Sequence, residues 1–131
     1  MKRKITVIQA QQQGMKKTRV AAYARVSSGK EEMLHSLSAQ VSYYNNMIRA
    51  KPDWEFVGVY ADEAETGTRD TRPEFQRLIS DCCQGKIDVV ITKTISRFAR
   101  NTITLLETVR SLKKHGVDVY FQEQNIHSMS S

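Results

Sequence analysis

The sequence predicts an α/β fold: three layers, α/β/α, around a central, mainly parallel sheet of four to five strands. Two observations predict it. Strand-like apolar runs alternate with amphipathic helical segments in the order β-α-β-α-β-α-β, and such alternation requires crossovers between parallel strands. The chain has 131 residues, 40% hydrophobic and 26% charged, which suits one domain around one core.

Residues 1–17 read as a basic leader, either a short edge strand at 4–8 or a disordered arm. Residues 18–131 form the domain. From Arg19, Val20, Ala22, Ala24 and Val26 fall on one face and Ala21, Tyr23, Arg25 and Ser27 on the other, a strand apolar on both sides until its end. Ser27-Ser28-Gly29-Lys30 breaks it. A helix is expected from about Leu34 to Ala50, with Leu37, Val41, Tyr44 and Ile48 as its core stripe, stopped at Lys51-Pro52-Asp53. Trp54–Tyr60 reads as the second strand, and the polar stretch from Asp62 to Thr71 as a loop. Pro73 suits a first helical turn; Phe75, Leu78, Ile79, Cys82 and Cys83 follow at helical spacing, and Gly85 is a natural stop. The third strand runs from Ile87 to about Thr94. Asn101 or Thr102 caps a helix with the stripe Ile103, Leu106, Val109 and Leu112, ending at His115-Gly116, and Val117–Phe121 is the fourth strand.

The formal net charge is +6, but its distribution decides what it means. Residues 1–19 carry six Lys/Arg and no acid; the remainder balances 14 Lys/Arg against 14 Asp/Glu. The globular part is neutral, so a high isoelectric point alone does not mark a DNA-binding body. No apolar run is long enough to span a membrane. The stretch Ile5–Ala10, broken by Thr6 and Gln9, is too short for a secretory signal. Adjacent Cys82 and Cys83 imply a reducing cytoplasm with neither a disulfide framework nor a zinc site. His35, His115 and His127 lack metal-ligand spacing, and Asp62, Glu63 and Glu65 read as a solvated turn. Neither a phosphate-cradling glycine motif nor a G-x-S-x-G elbow occurs.

The chemistry gathers at the strand ends, where open α/β sheets bind ligands. Arg25 and Ser27, two apart on a strand, point the same way. An arginine in an apolar strand is costly unless paired. It forms either a buried ion pair with Asp62 or another acid, or an anion site beside a hydroxyl. Arg97 and Arg100, three apart, share a face if they lie on one helical turn, and taken alone such a pair reads as a solvated basic face. With Arg25, three guanidiniums then surround one phosphate, stabilise the charge of a phosphoryl-transfer transition state without a metal, and lower the pKa of Ser27.

The stretches Tyr23-Ala24-Arg25-Val26-Ser27-Ser28, Leu37-Ser38-Ala39-Gln40, Asp62-Glu63 with Arg72-Pro73-Glu74-Phe75, and Lys93-Thr94-Ile95-Ser96-Arg97-Phe98-Ala99-Arg100-Asn101 resemble the catalytic domain of serine recombinases, the resolvase/invertase family. The form S-R-F-A-R-N and the leader look more like the large serine recombinases of phages and conjugative transposons. The resemblance spans about Arg19 to His127 and implies a resolvase-like fold and site-specific DNA recombination. It makes Ser27 a nucleophile that forms a 5′-phosphoserine link, with Arg25, Arg97 and Arg100 binding and activating the phosphate. Gln40 and Arg72 match supporting positions; Tyr23, Lys93 and Ser96 fall within the motifs. No cofactor and no metal are expected. The implied partners are DNA and further copies of the chain, as dimers and tetramers on DNA, with no membrane.

Two departures from the family pattern stand out. Many small resolvases carry an acid before the first arginine of R-x-x-R; here that residue is Ser96, which leaves proton donation to Arg25, Arg97, Arg100, or Ser96 through water. Family members also continue into a long helix and DNA-binding domains, so the chain is expected to be the catalytic fragment of a longer protein. A neutral body lacks the charge for tight DNA binding, which places sequence recognition in that other part. The competing expectation is a non-catalytic anion- or DNA-binding accessory module. A phosphatase-like hydrolase is disfavoured, because the cysteines sit on a helix stripe.

Overall fold

The computed structural model describes residues 17–26, 30–63, 72–99 and 101–129, with residues 30–35 described by their backbone alone. The strand reading of the leader at 4–8 lies outside them. The elements are β1 (Thr18–Val26), α1 (Lys30–Arg49), β2 (Trp54–Glu63), α2 (Pro73–Cys83), β3 (Val89–Thr92), α3 (Ile95–Phe98), α4 (Thr102–Lys114), β4 (Asp118–Phe121) and β5 (Ile126–His127). They build a five-stranded sheet in the order β2-β1-β3-β4-β5. The first three pairings are parallel, and β5 returns antiparallel to β4. The chain leaves β1 toward β2 on one side and reaches β3 on the other. The carboxyl end of β1 beside β3 is therefore a topological switch point, where such sheets hold ligands.

Strand alternation divides the core. Val20, Ala22 and Ile91 pack with Tyr44 and Ile48 of α1 on one face. Ala21, Tyr23, Val90 and Val119 pack with Phe75, Leu78 and Cys82 of α2, Phe98 of α3 and Leu112 of α4 on the other. Pro73 takes the first turn of α2, and Asn101 caps α4 by accepting the Thr104 N–H at 2.8 Å.

Strand β2 carries a bulge with consequences for the site. Phe56 pairs with Val20 but Gly58 with Ala21, so Val57 is an extra residue, 39% exposed. Gly58 has φ +154, which side chains rarely adopt. The inserted residue reverses the alternation: Phe56 and Val59 both face α1, and Tyr60 faces α2. Asp62, in step with Tyr60, follows it to the α2 face. The strand also runs past Tyr60 to Glu63, so Asp62 is a strand residue rather than the start of a loop.

Three expected core stripes need correction. In α4, Ile103 and Leu106 are 70% and 44% exposed, while Leu105 and Val109 pack against the core beside buried Leu112. A strict three-residue spacing walks about 60° round an α-helix at each step, so 103, 106, 109 and 112 cannot share one face. In α1, which begins at Lys30, Val41 is exposed, because this half of the helix borders a cleft at the carboxyl edge of the sheet instead of lying flat on it. In α2, Cys83 is exposed and only Cys82 enters the core.

Burial holds several acidic groups in their neutral form. It pushes the Tyr44 hydroxyl from 10.0 up to about 12 and the Cys82 thiol from 9.0 up to about 12, and it raises Tyr23 further, with help from the hydrogen bond to Asp62. For groups whose folded pKa is raised, the stability is intact below the unfolded value and is lost as pH climbs toward the folded one. Urea unfolding should therefore show constant stability up to about pH 9, then a loss of about 1.4 kcal/mol per pH unit for each titrating group toward pH 12. Undiminished stability at pH 11 would contradict this burial.

Candidate active site

Arg25 ends β1 beside Asp62 of β2, its partner in the register. The two do not form the ion pair that the sequence offered as one reading. Asp62 is buried, 4% exposed, and its carboxylate is already occupied. Oδ2 accepts the Tyr23 hydroxyl at 2.9 Å and the Phe75 N–H at 3.0 Å; Oδ1 accepts the Glu74 N–H at 2.9 Å. Arg72, in the N-cap position of α2, makes no side-chain cap, so an acid from the neighbouring strand satisfies the first N–H groups of the helix and meets the positive end of its dipole. Asp62 is thus the hub of a buried network, not a solvated turn.

Arg25 consequently has no carboxylate within ion-pair reach among the described residues. Its Nε is buried without a hydrogen-bond partner among them, as is the hydroxyl of Thr92, which pairs in register with Tyr23. A buried N–H left unsatisfied costs about 1–3 kcal/mol. Arg72 and Arg25 both pull the Tyr23 pKa downward, yet burial and Asp62 outweigh them. Tyr23 therefore stays a neutral donor committed to Asp62.

A row of aromatic rings holds the next segment. Tyr23, Phe75, Phe98 and Phe121 meet edge to face at 5.1, 5.1 and 5.6 Å. Arg72 stacks on Phe75 at 3.8 Å and donates Nη1 to the carbonyls of Phe98 at 2.8 Å and Arg97 at 3.3 Å. Arg72 thus clamps α3 to α2 through the α3 backbone. At the start of α3, the Thr94 hydroxyl accepts the Arg97 N–H at 3.2 Å and lies 3.0 Å from the Ser96 hydroxyl. Arg97, so placed, donates Nη1 to the carbonyl of Arg25 at 3.3 Å. The Arg97 side chain therefore reaches the backbone of Arg25 at the switch point. Helix α3 ends at Phe98 and Ala99 is extended, φ −144 and ψ 144, so the turn that carries Arg97 does not continue past Phe98. Ser27, Ser28 and Arg100 themselves lie outside the described residues.

Gln40 and Lys93 line one cleft of about 630 Å³ with Ser36, Tyr43, Tyr44 and Gln122. It lies between α1 and the carboxyl ends of β3 and β4. Sequence reasoning missed the role of Asp62 as a hub, and it missed Tyr43 and Gln122. The only signal for the first was Gly58 inside a strand, a common mark of a bulge.

An open sheet with Arg25 and Arg97 side by side at its switch point is the frame of this site. The profile of the "Resolvase, N terminal domain" family matches residues 20–131. A resolvase family site-specific recombinase from Streptococcus pneumoniae is 32% identical, with a TM-score of 0.70 over 88% of this chain and 78% of that one. The N-terminal catalytic domain of TP901-1 integrase is 26% identical, with a TM-score of 0.61 over 87% and 84%. The C-terminal catalytic domain of ISC1926 TnpA, an IS607-like serine recombinase, is 26% identical, with a TM-score of 0.65 over 79% and 68%. Curated protein sequences gave no match. The chain belongs to the resolvase family and has the fold of a serine recombinase catalytic domain. No helix among the described residues is long and apolar enough to cross a membrane.

Proposed function

We propose that this chain is the catalytic domain of a site-specific DNA recombinase of the large serine type, acting in the cytoplasm as dimers and tetramers on its DNA sites. The Ser27 hydroxyl attacks the scissile phosphorus and gives up its proton. The bond from phosphorus to the 3′ oxygen breaks, that oxygen leaves protonated, and a 5′-phosphoserine remains. The reverse sequence with a new 3′-hydroxyl rejoins the strands, so the bond energy is conserved and no cofactor is required. Arg25, Arg97 and Arg100 hold the phosphate and its developing charge. Arg72 and Tyr23 support them, the first through the α3 backbone and the second through Asp62. Gln40 and Lys93 flank the strand, and Ser96, through water, is one donor for the leaving oxygen alongside the three arginines.

One observation carries this reading. Among the described residues, Arg25 keeps a buried, unpartnered Nε beside a carboxylate committed elsewhere. A cation left unsatisfied at a switch point suits an anionic ligand from outside. Trapping the intermediate on DNA nicked at the recombination site tests it. The full-length protein should yield a covalent adduct that Ser27→Ala abolishes and Ser28→Ala spares. An adduct that survives Ser27→Ala overturns the assignment, and one lost through Ser28 reverses the orientation at the end of β1.

A further inference from the structure

The cleft between α1 and the ends of β3 and β4 contains a hydrogen-bond relay that ends on a hydroxyl facing solvent. Tyr44 is 2% exposed. Burial keeps its hydroxyl protonated, so the proton needs an acceptor, and Gln122 Oε1 receives it at 2.9 Å. That bond fixes which way the Gln122 amide points. Its Nε2 then donates to the Tyr43 hydroxyl oxygen at 3.1 Å and lies 3.4 Å from Met47 Sδ. Tyr43 Oη is an acceptor within the protein, so its own proton is left for an acceptor outside. Tyr43 is 54% exposed. Each bond in such a chain polarises the next and sharpens the terminal donor.

The surroundings say what the acceptor is. Lys93, exposed, and the Gln40 amide face the same cleft; Glu123 is the one acid among its described lining residues. Lys93, at the carboxyl end of β3 in this lining, is followed by Thr94, whose hydroxyl caps the short helix that carries Arg97, so the cleft adjoins one of the proposed catalytic arginines. A hydroxyl donor, an ammonium and an amide next to a phosphate-binding edge match the non-bridging oxygens of a phosphodiester backbone.

We propose that Tyr43, aimed by Gln122 and Tyr44, donates to a backbone phosphate of the DNA strand next to the one that is cut, with Lys93 supplying the charge. This rests on the recombinase reading for the identity of the strand. The contact fixes register on the DNA and carries no base preference.

Titrating the isotope-labelled 131-residue chain with a short DNA duplex of arbitrary sequence at low salt, followed by NMR, tests it. The Gln122 side-chain amide and the Lys93 and Gln40 signals should move together. Tyr43→Phe should weaken binding about ten- to a hundredfold, as loss of a hydrogen bond to a charged group does. Lys93→Gln should weaken it and flatten its salt dependence. Gln122→Leu, which leaves Tyr43 in place but cuts the relay, should fall between wild type and Tyr43→Phe. Shifts that miss the cleft, or Tyr43→Phe binding as wild type does, overturn the proposal. Covalent trapping at Ser27 separates the two readings. An adduct with an inert Tyr43 removes this contact alone. A Tyr43 effect without any adduct leaves the cleft and removes the recombinase chemistry.

Discussion

Asp62→Ala should lower the unfolding free energy by about 3 kcal/mol. The change strands the buried Tyr23 hydroxyl, at a cost of about 1–3 kcal/mol, and strips α2 of its cap, worth about 1–2 kcal/mol. It leaves the Glu74 and Phe75 N–H groups without the acceptor they have now. Asp62→Asn keeps one carbonyl oxygen but turns an N–H₂ toward donors, so it should lose a large part of the same stability. Tyr23→Phe removes one donor and leaves the carboxylate two, and should cost about 1 kcal/mol. Urea unfolding ranks the three. If Asp62→Ala costs no more than Tyr23→Phe, the cap of α2 does not come from β2, and the network loses its meaning.

That hub shows where the sequence could be read and where it could not. The strand and helix order follows from alternation and amphipathic spacing, because burial on two faces leaves a periodic trace in β1 and α2. Pro73, Gly85 and Asn101 mark boundaries through local chemistry, and the structure keeps them: Pro73 opens α2, Gly85 has φ +80 just past it, and Asn101 caps α4. The partner of Asp62 is different. Which face it meets depends on one extra residue at Val57, and a single shift in register flips every side chain beyond it. Nothing in the pattern 54–63 announces that shift except Gly58. The exposure of Ile103 and Leu106 was hidden for a related reason: both are apolar, and only the angular drift of their spacing separates them from the true stripe. The relay from Tyr44 to Tyr43 joins residues 78 and 79 apart in sequence, and no local pattern encodes such a pairing. At the site, the motifs marked which arginines to watch, but the distinction between Arg72, whose Nη1 reaches two carbonyls, and Arg25, whose Nε has no partner among the described residues, exists only in three dimensions.

Arg25→Met should separate function from stability in the opposite sense to Asp62→Ala. The two residues are cross-strand neighbours at the same sheet edge, so a purely structural role would make both substitutions destabilising. Asp62 holds three hydrogen bonds; the Arg25 Nε is buried and has no partner among the described residues. Replacing an unsatisfied buried donor by an apolar chain of similar length removes a penalty, so Arg25→Met should leave the unfolding free energy unchanged or raise it by about 1 kcal/mol. Removing a preorganised donor from a phosphoryl-transfer site should at the same time cut the rate of covalent adduct formation about 10²- to 10³-fold. Arg25→Lys keeps the charge but gives up the planar fork, and should retain only part of that rate. The combination of equal or greater stability with lost cleavage is expected where a fold holds an uncompensated charge ready for its substrate. A loss of several kcal/mol on Arg25→Met, matching Asp62→Ala, would instead make Arg25 a structural ion and leave the catalytic assignment without its physical support.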